Sequence, residues 1–358
     1  MVLSLSSCIA KPTEIPTVDP EPEEIIVDKI PEKTEINAGV FWYDFSDAFL
    51  STVRTALDTE LTEAGINFTN YDAAKTQATQ NDQIDTAISQ GANLLIVNIV
   101  DTAAIDAAQA IADKAKAAEI PVIFFNREVA DDVINSYENA CFVGTRAAEA
   151  GEMQGMMAGE YIVNNYKEVD LNCDGYISYI MMKGELGGPE TEARSMFAVN
   201  YCNSELVKAG KPTLKYYDPN NTDLFQPSNW SKTEAFNLMK NALGTNPMDG
   251  EAPIEVVFAN NDDAALGCVE ALNEVGWNTG EENAPSIPVF GVDYTADAAA
   301  AIEAGKMTGS ILQSATGMAE TIADLVENVM NGEHVFTNTE NFNVDDYVNK
   351  IRVPYEIK

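Results

Sequence analysis

The sequence predicts an α/β protein of two doubly wound parallel-sheet lobes. From residue 36 onward, short apolar runs alternate with stretches of helical period. Alternation of this kind gives parallel sheets covered by helices on both faces. The pattern continues for about 320 residues, more than one such sheet accommodates. The 358 residues, 46% of them hydrophobic, suffice for two cores.

Buried strands are read at Ala38–Tyr43, Leu94–Val100, Pro121–Asn126, Tyr176–Met182, Glu255–Asn260, Pro288–Val292 and Gly309–Leu312. Helices are read at Ala48–Ala64, Thr102–Ala118, Arg146–Tyr166, Glu190–Ala209, Ser228–Ala242 and Asp262–Val275, where apolar residues recur every three or four positions. Residues 9–35 behave differently. They carry five prolines and eight acids against three lysines, with no helical or strand period, and read as a disordered tether. Ahead of them, Leu5-Ser6-Ser7-Cys8 resembles a bacterial lipobox in a truncated signal (residues 1–8), which makes Cys8 the expected lipidation site and the cell membrane or periplasm the expected location.

Composition excludes several function classes. With 57 Asp+Glu against 21 Lys+Arg the formal charge is −36, so phosphate backbones and anionic lipid are repelled and nucleic acid is not a partner. The single histidine, His334, excludes triads and metal centres built on several imidazoles. No apolar run is long enough to span a membrane. Cys141, Cys173, Cys202 and Cys268 are scattered without a C-x-x-C spacing and read mostly as small, buried, unpaired residues.

In doubly wound sheets, ligands bind beyond the C-terminal strand ends. Those ends carry Asp47 and Phe49, Asn126, Asn261 and Asp262, Asp293 and Gln313. Any one of these could cap a helix or make a turn. Together they are planar polar groups able to grip neighbouring hydroxyls, with an aromatic face for C–H surfaces. That inventory suits a sugar.

From about residue 38 to Tyr355 the chain resembles the periplasmic galactose/glucose-binding proteins, the solute receptors of ABC transporters. The matching motifs occur in order: Gly39-Val40 with Asp47-x-Phe49, Gln80-Asn81-Asp82-Gln83-Ile84-Asp85, Asn98-Ile-Val-Asp101, Pro121-Val-Ile-Phe-Phe-Asn126, Val143-Gly-Thr145, Glu192-Ala-Arg194, Ile254–Asp262, Pro288-Val-Phe-Gly-Val-Asp293 and Arg352-Val-Pro-Tyr355. The resemblance implies a periplasmic binding protein type I fold, with three crossovers acting as a hinge near Thr145–Arg146, Leu312–Ser314 and Asn349–Ile351. The implied lobes are 36–145 with 313–349, and 146–312 with 350–358. It also implies a monomer that binds D-glucose or D-galactose between the lobes, closes, and docks on a permease, with a chemoreceptor as a further partner. Phe49 and Trp230 would stack on the ring; Asp47 and Asn126 would contact it from the first lobe, and Arg194, Asn261 and Asp293 from the second.

Three positions depart from the family pattern. Gly188 stands where the family has histidine, Glu190 where it has aspartate, and Gln313 where it has asparagine. Gly188 removes a ring donor, while Glu190 and Gln313 lengthen their arms by a methylene. The choice among glucose, galactose, a pentose and another small polyol therefore stays open.

Asp170-Leu-Asn172-Cys-Asp174-Gly175-Tyr176-Ile-Ser178 matches the start of a calcium loop, with oxygen ligands at alternate positions and glycine for the turn. Tyr176 would offer its carbonyl and Ser178 its hydroxyl or a water. Met181 at the twelfth position excludes an EF-hand proper. The resemblance brings in Glu255 as the missing carboxylate, around a structural Ca2+.

Other classes fit less well. A transcriptional regulator would need a basic helix-turn-helix ahead of the body, which residues 9–35 cannot form. No G-x-S-x-G elbow or P-loop appears, and a cleft of amides with Arg194 suits neutral sugar binding better than paired-carboxylate glycoside hydrolysis. The expectation is a binding protein, not an enzyme.

Overall fold

The computed structural model describes residues 34–358; Cys8 and the tether as far as residue 33 lie outside the described residues. The chain begins β1 (Asn37–Trp42), α1 (Ala48–Glu63), β2 (Asn67–Asp72), α2 (Gln77–Ser89), β3 (Leu94–Val97), α3 (Ile105–Ala117), β4 (Val122–Phe125), α4 (Asp131–Asn135) and β5 (Ala140–Gly144). It continues α5 (Ala147–Asn164), α6 (Tyr166–Val169), β6 (Ser178–Lys183), α7 (Pro189–Lys208), β7 (Lys215–Tyr216), β8 (Gln226–Pro227), α8 (Lys232–Thr245), β9 (Val256–Ala259), α9 (Asp262–Glu274), β10 (Val289–Asp293), α10 (Ala296–Glu303) and β11 (Gly309–Gln313). Then come α11 (Ala315–Met330), β12 (Lys350–Arg352) and β13 (Tyr355–Ile357).

These strands form two sheets. The first has the order β12-β5-β4-β3-β1-β2 and is parallel throughout. The second runs β13-β11-β10-β9-β6-β7, with β8 also paired to β6, and is parallel except for β13. Central strands such as Leu94–Val97 and Val256–Ala259 are buried on both faces, which is why they read as continuous apolar runs. Each sheet separates two apolar layers: Val40, Ile96 and Ile123 face α1 and α11, whereas Leu95, Val122 and Phe124 face α2 and α3.

The third crossover differs from expectation. Lys350–Arg352 pairs with Phe142–Gly144 in the first sheet, and Tyr355–Ile357 pairs with Ile311–Gln313 in the second. Residues 350–358 are thus shared between the lobes, and the passage lies at Val353–Pro354 rather than Asn349–Ile351. Gln313 belongs to the second sheet, so the outgoing crossover is at Ser314. Lys350 masked this strand in the sequence, because it is a fully buried lysine whose ammonium group is held by Glu128, Asp131 and the Val129 carbonyl.

Close helix packing sets the position of α7. A Cβ built on Gly151, Gly155 or Gly159 of α5 would lie 2.8, 2.4 and 2.6 Å from Arg194 O, Ala198 O and Glu205 Cβ respectively. This four-residue glycine spacing lets α7 lie against α5 and aims the N-terminal end of α7 at the other lobe.

Candidate functional site

The strand ends of both sheets converge on one interlobe cleft. It is lined by Asp47, Phe49, Asn126, Glu190, Arg194, Trp230, Asn261, Asp293 and Gln313, all nine of the expected ligand-contacting residues, together with Tyr43, Leu50 and Arg127. The lobes stand close together, and the free space at the centre of the cleft is about 40 Å3.

Asp47 caps α1: its Oδ1 accepts from the Leu50 N–H at 2.8 Å and its Oδ2 from the Tyr43 hydroxyl at 2.6 Å. Capping and ligand contact are compatible, because an ionised carboxylate has further lone pairs. Phe49 sits one residue into α1, at the edge of the first lobe's core. Asn126 follows β4 in the left-handed region, φ 61°, and its Oδ1 accepts from Asn98 Nδ2 at 3.2 Å.

From the second lobe, Glu190 lies in the first turn of α7 and its Oε1 accepts the Glu128 N–H of the opposite lobe. Burial raises the Glu190 carboxyl above its usual range, opposed by the nearby Arg127 guanidinium. Arg194, one helical turn on, is engaged at both Nη atoms, while its Nε is buried and has no partner among the described residues. Its Nη1 donates to the Asn260 carbonyl at 2.8 Å, and its Nη2 donates to Gln313 Oε1 at 2.8 Å and Tyr355 Oη at 2.9 Å. Asp293 Oδ1 is 3.9 Å from Arg194, and burial raises its carboxyl well above the normal range despite that guanidinium. Asn261 caps α9, accepting from Ala264 N–H at 3.0 Å, and donates to the Trp230 carbonyl at 3.3 Å.

Trp230 was expected on a helix running from Ser228. It precedes α8 instead, in a turn at φ 63°, with Ser231 as the cap. Its indole fits against Gly184, where an added Cβ would meet ring atoms at 2.3 Å. Three cleft residues, Asn126, Trp230 and Asp293, hold positive φ (61°, 63° and 114°), a cost that side chains bear where the backbone must aim them.

Tyr43 and Arg127 were missed because each adjoins a recognised feature. Tyr43 was counted as strand interior, and Arg127 follows the Asn126 turn. The Arg127 guanidinium lies 4.3 Å over the Tyr43 ring, donates to the Val100 carbonyl at 2.8 Å, and pairs with Glu185 across the cleft. Gly188 faces Thr102 of the first lobe, whose hydroxyl lies 2.9 Å from where a Cβ would be.

The expected calcium loop spans α6 to β6. Asp170 Oδ2 accepts from Gly175 N–H at 3.1 Å, Asn172 Oδ1 from Asp174 N–H at 3.1 Å and Asp174 Oδ1 from Tyr176 N–H at 2.8 Å. Glu255 reaches the loop from before β9, accepting Leu171 and Ser178 N–H at 2.7 Å each, and burial raises its carboxyl. The Ser178 hydroxyl donates to the Pro253 carbonyl at 2.6 Å. Asp170 Oδ1 is buried and has no partner among the described residues. Its orphaned oxygen and the all-oxygen donor set fit a hard cation. Among the described residues, however, no three His, Cys, Asp or Glu side chains converge closely enough to share an ion.

Residues 38–334 match the periplasmic binding protein domain. Over 319 residues the chain is 32% identical to the D-galactose/methyl-galactoside binding periplasmic protein MglB of Haemophilus influenzae, covering 88% of this chain and 87% of that protein. Its fold is similar to an ABC transporter solute binding protein from Bacillus halodurans with bound myo-inositol, TM-score 0.69 at 24% identity, covering 91% and 95% of the two chains. It is also similar to one from Clostridium phytofermentans with bound β-D-glucose, TM-score 0.69 at 19% identity, covering 90% and 93%. No helix among the described residues is long and apolar enough to cross a membrane. Sequence and fold agree along nearly the whole described chain: the protein belongs to the periplasmic binding protein family and is a solute-binding protein, not an enzyme.

Proposed function

We propose that the protein is the extracytoplasmic receptor of an ABC importer for a neutral monosaccharide, with D-glucose or D-galactose as its solute. The observation that carries this reading is the cleft, where carboxylates, amides and a buried guanidinium from both lobes surround the aromatic side chains of Phe49 and Trp230. Planar polar groups grip paired hydroxyls while ring faces cover C–H surfaces. Residues from both lobes touching one solute make closure depend on its presence. The Haemophilus relative, named for D-galactose and methyl-galactoside, supports the hexose assignment.

A pentose or cyclic polyol is the second reading. It is favoured by Glu190 and Gln313, each longer than the family pattern and each already tied to a protein partner. Lipidation at Cys8 would hold the receptor at the membrane, and a calcium ion in the Asp170–Ser178 loop would brace the second lobe.

Calorimetric titration with D-glucose, D-galactose, D-xylose, ribose and myo-inositol tests the reading. Micromolar or tighter binding of a hexose is expected. A response confined to a pentose or the inositol would move the assignment to the second reading, and silence throughout would overturn both.

A further inference from the structure

We propose that Arg127 and Glu185 form a latch across the cleft that sets how readily the lobes close, whichever solute they hold. The proposal rests on the receptor reading above. Among the described residues this is the one ion pair that joins the two lobes; the other pairs lie within a lobe.

The two partners are built differently. Arg127 is fixed entirely by its own lobe: its side chain is 8% exposed, it donates to the Val100 carbonyl at 2.8 Å, and it stacks over Tyr43. Glu185 stands on the loop between β6 and α7, is 36% exposed, and does not line the cleft. Opening the lobes would leave Arg127 its contacts with Val100 and Tyr43 and take away Glu185, its ion-pair partner. The guanidinium is thus pre-positioned, and the pair forms only on closure. An interaction present in one state and absent in the other is what shifts an equilibrium between them.

A neighbouring contact crosses the lobes in the same strip, from the Glu128 N–H to Glu190. Glu190 lines the cleft and Glu185 does not, so the two can be separated by mutation. In a chain of formal charge −36, long-range repulsion between acidic lobes opposes closure, and one short attractive pair has a correspondingly visible effect. Because Glu185 does not line the cleft, removing its charge scales every affinity by the same factor.

Glu185→Gln keeps the shape and removes the charge. The expected result is that each sugar bound by the wild type weakens by one common factor of about three to ten, with the ratios between sugars unchanged. X-ray scattering of the sugar-free variant should give a larger radius of gyration, and Glu185→Asp should restore part of both effects. Unchanged affinity and radius would overturn the latch. So would factors that differ between sugars, which would make Glu185 a solute contact. If the wild type binds none of the five solutes, the receptor reading fails, while the radius of wild type against Glu185→Gln still decides the latch.

Discussion

Arg194 donates from Nη2 to Oε1 of Gln313 at 2.8 Å, and the same oxygen receives the Tyr355 hydroxyl at 3.2 Å. The acceptor end of the Gln313 amide is therefore committed, and its Nε2, buried and without a partner among the described residues, is the end left for a solute. Gln313 should act as a donor. Gln313→Glu keeps an acceptor for Arg194 but removes the N–H groups, so affinity should fall by about five- to a hundredfold without loss of melting temperature. Calorimetry with unaltered affinity would refute the donor role.

Asp47→Ala and Arg194→Ala should each weaken sugar binding at least about tenfold, as buried hydroxyls lose their partners. Asp47 also caps α1, so its alanine variant should lose about 1 kcal/mol of stability as well. Asp47→Ser restores a capping oxygen but does not reach into the cleft. It should recover the stability and not the affinity, a split readable by melting and titration side by side.

Gly184→Ala should weaken binding while the protein still folds. Its new methyl would overlap the Trp230 indole, which would have to leave its seat against the cleft. Loss of affinity together with a shifted tryptophan emission is expected. Normal binding would show that Trp230 does not need that seat.

The buried Asp262 accepts from the Ser310 hydroxyl at 2.6 Å and the Thr295 N–H at 2.7 Å, yet burial pushes its carboxyl up to about 7. A folded-state value above the unfolded one near 3.9 means the native protein holds the extra proton between those values, so stability falls as pH rises through that window. Asp262→Asn should remove this component. From pH 4.5 to 7.5 the wild type should lose melting temperature relative to the variant, and parallel curves would contradict the assignment.

Calcium should raise the melting temperature and a chelator should lower it, because binding to the native state alone stabilises by mass action. Asp170→Ala removes the one loop carboxylate with an orphaned buried oxygen and should abolish the response. A calcium response that persists in the variant would place the ion elsewhere.

The cleft was largely legible in the sequence because ligand-facing residues sit where apolar strands stop, a boundary that hydropathy marks sharply. Asn126, Asn261 and Asp293 were found this way. The fold was less legible at its edges. β2, Asn67–Asp72, is half-exposed and reads Asn-Phe-Thr-Asn-Tyr-Asp, with no apolar run to announce it. In α2 only Gln80, Ile84 and Ala87 are buried, too few for a helical stripe. Arg127 escaped notice because its role depends on a residue in the other lobe. Tyr355 was seen only as part of a motif, although its hydroxyl joins Arg194 to Thr145.

The shared segment 350–357 also has a meaning for biosynthesis. Arg352 reaches the Thr145 carbonyl, 207 positions back along the chain, and the outer edge of β5 has no strand beside it until Lys350–Arg352 is made. The outer edge of β11 likewise waits for Tyr355–Ile357. A nascent chain therefore carries the open β5 edge from Gly144 until Lys350 and the open β11 edge from Gln313 until Tyr355, and both lobes are completed together by a few late residues.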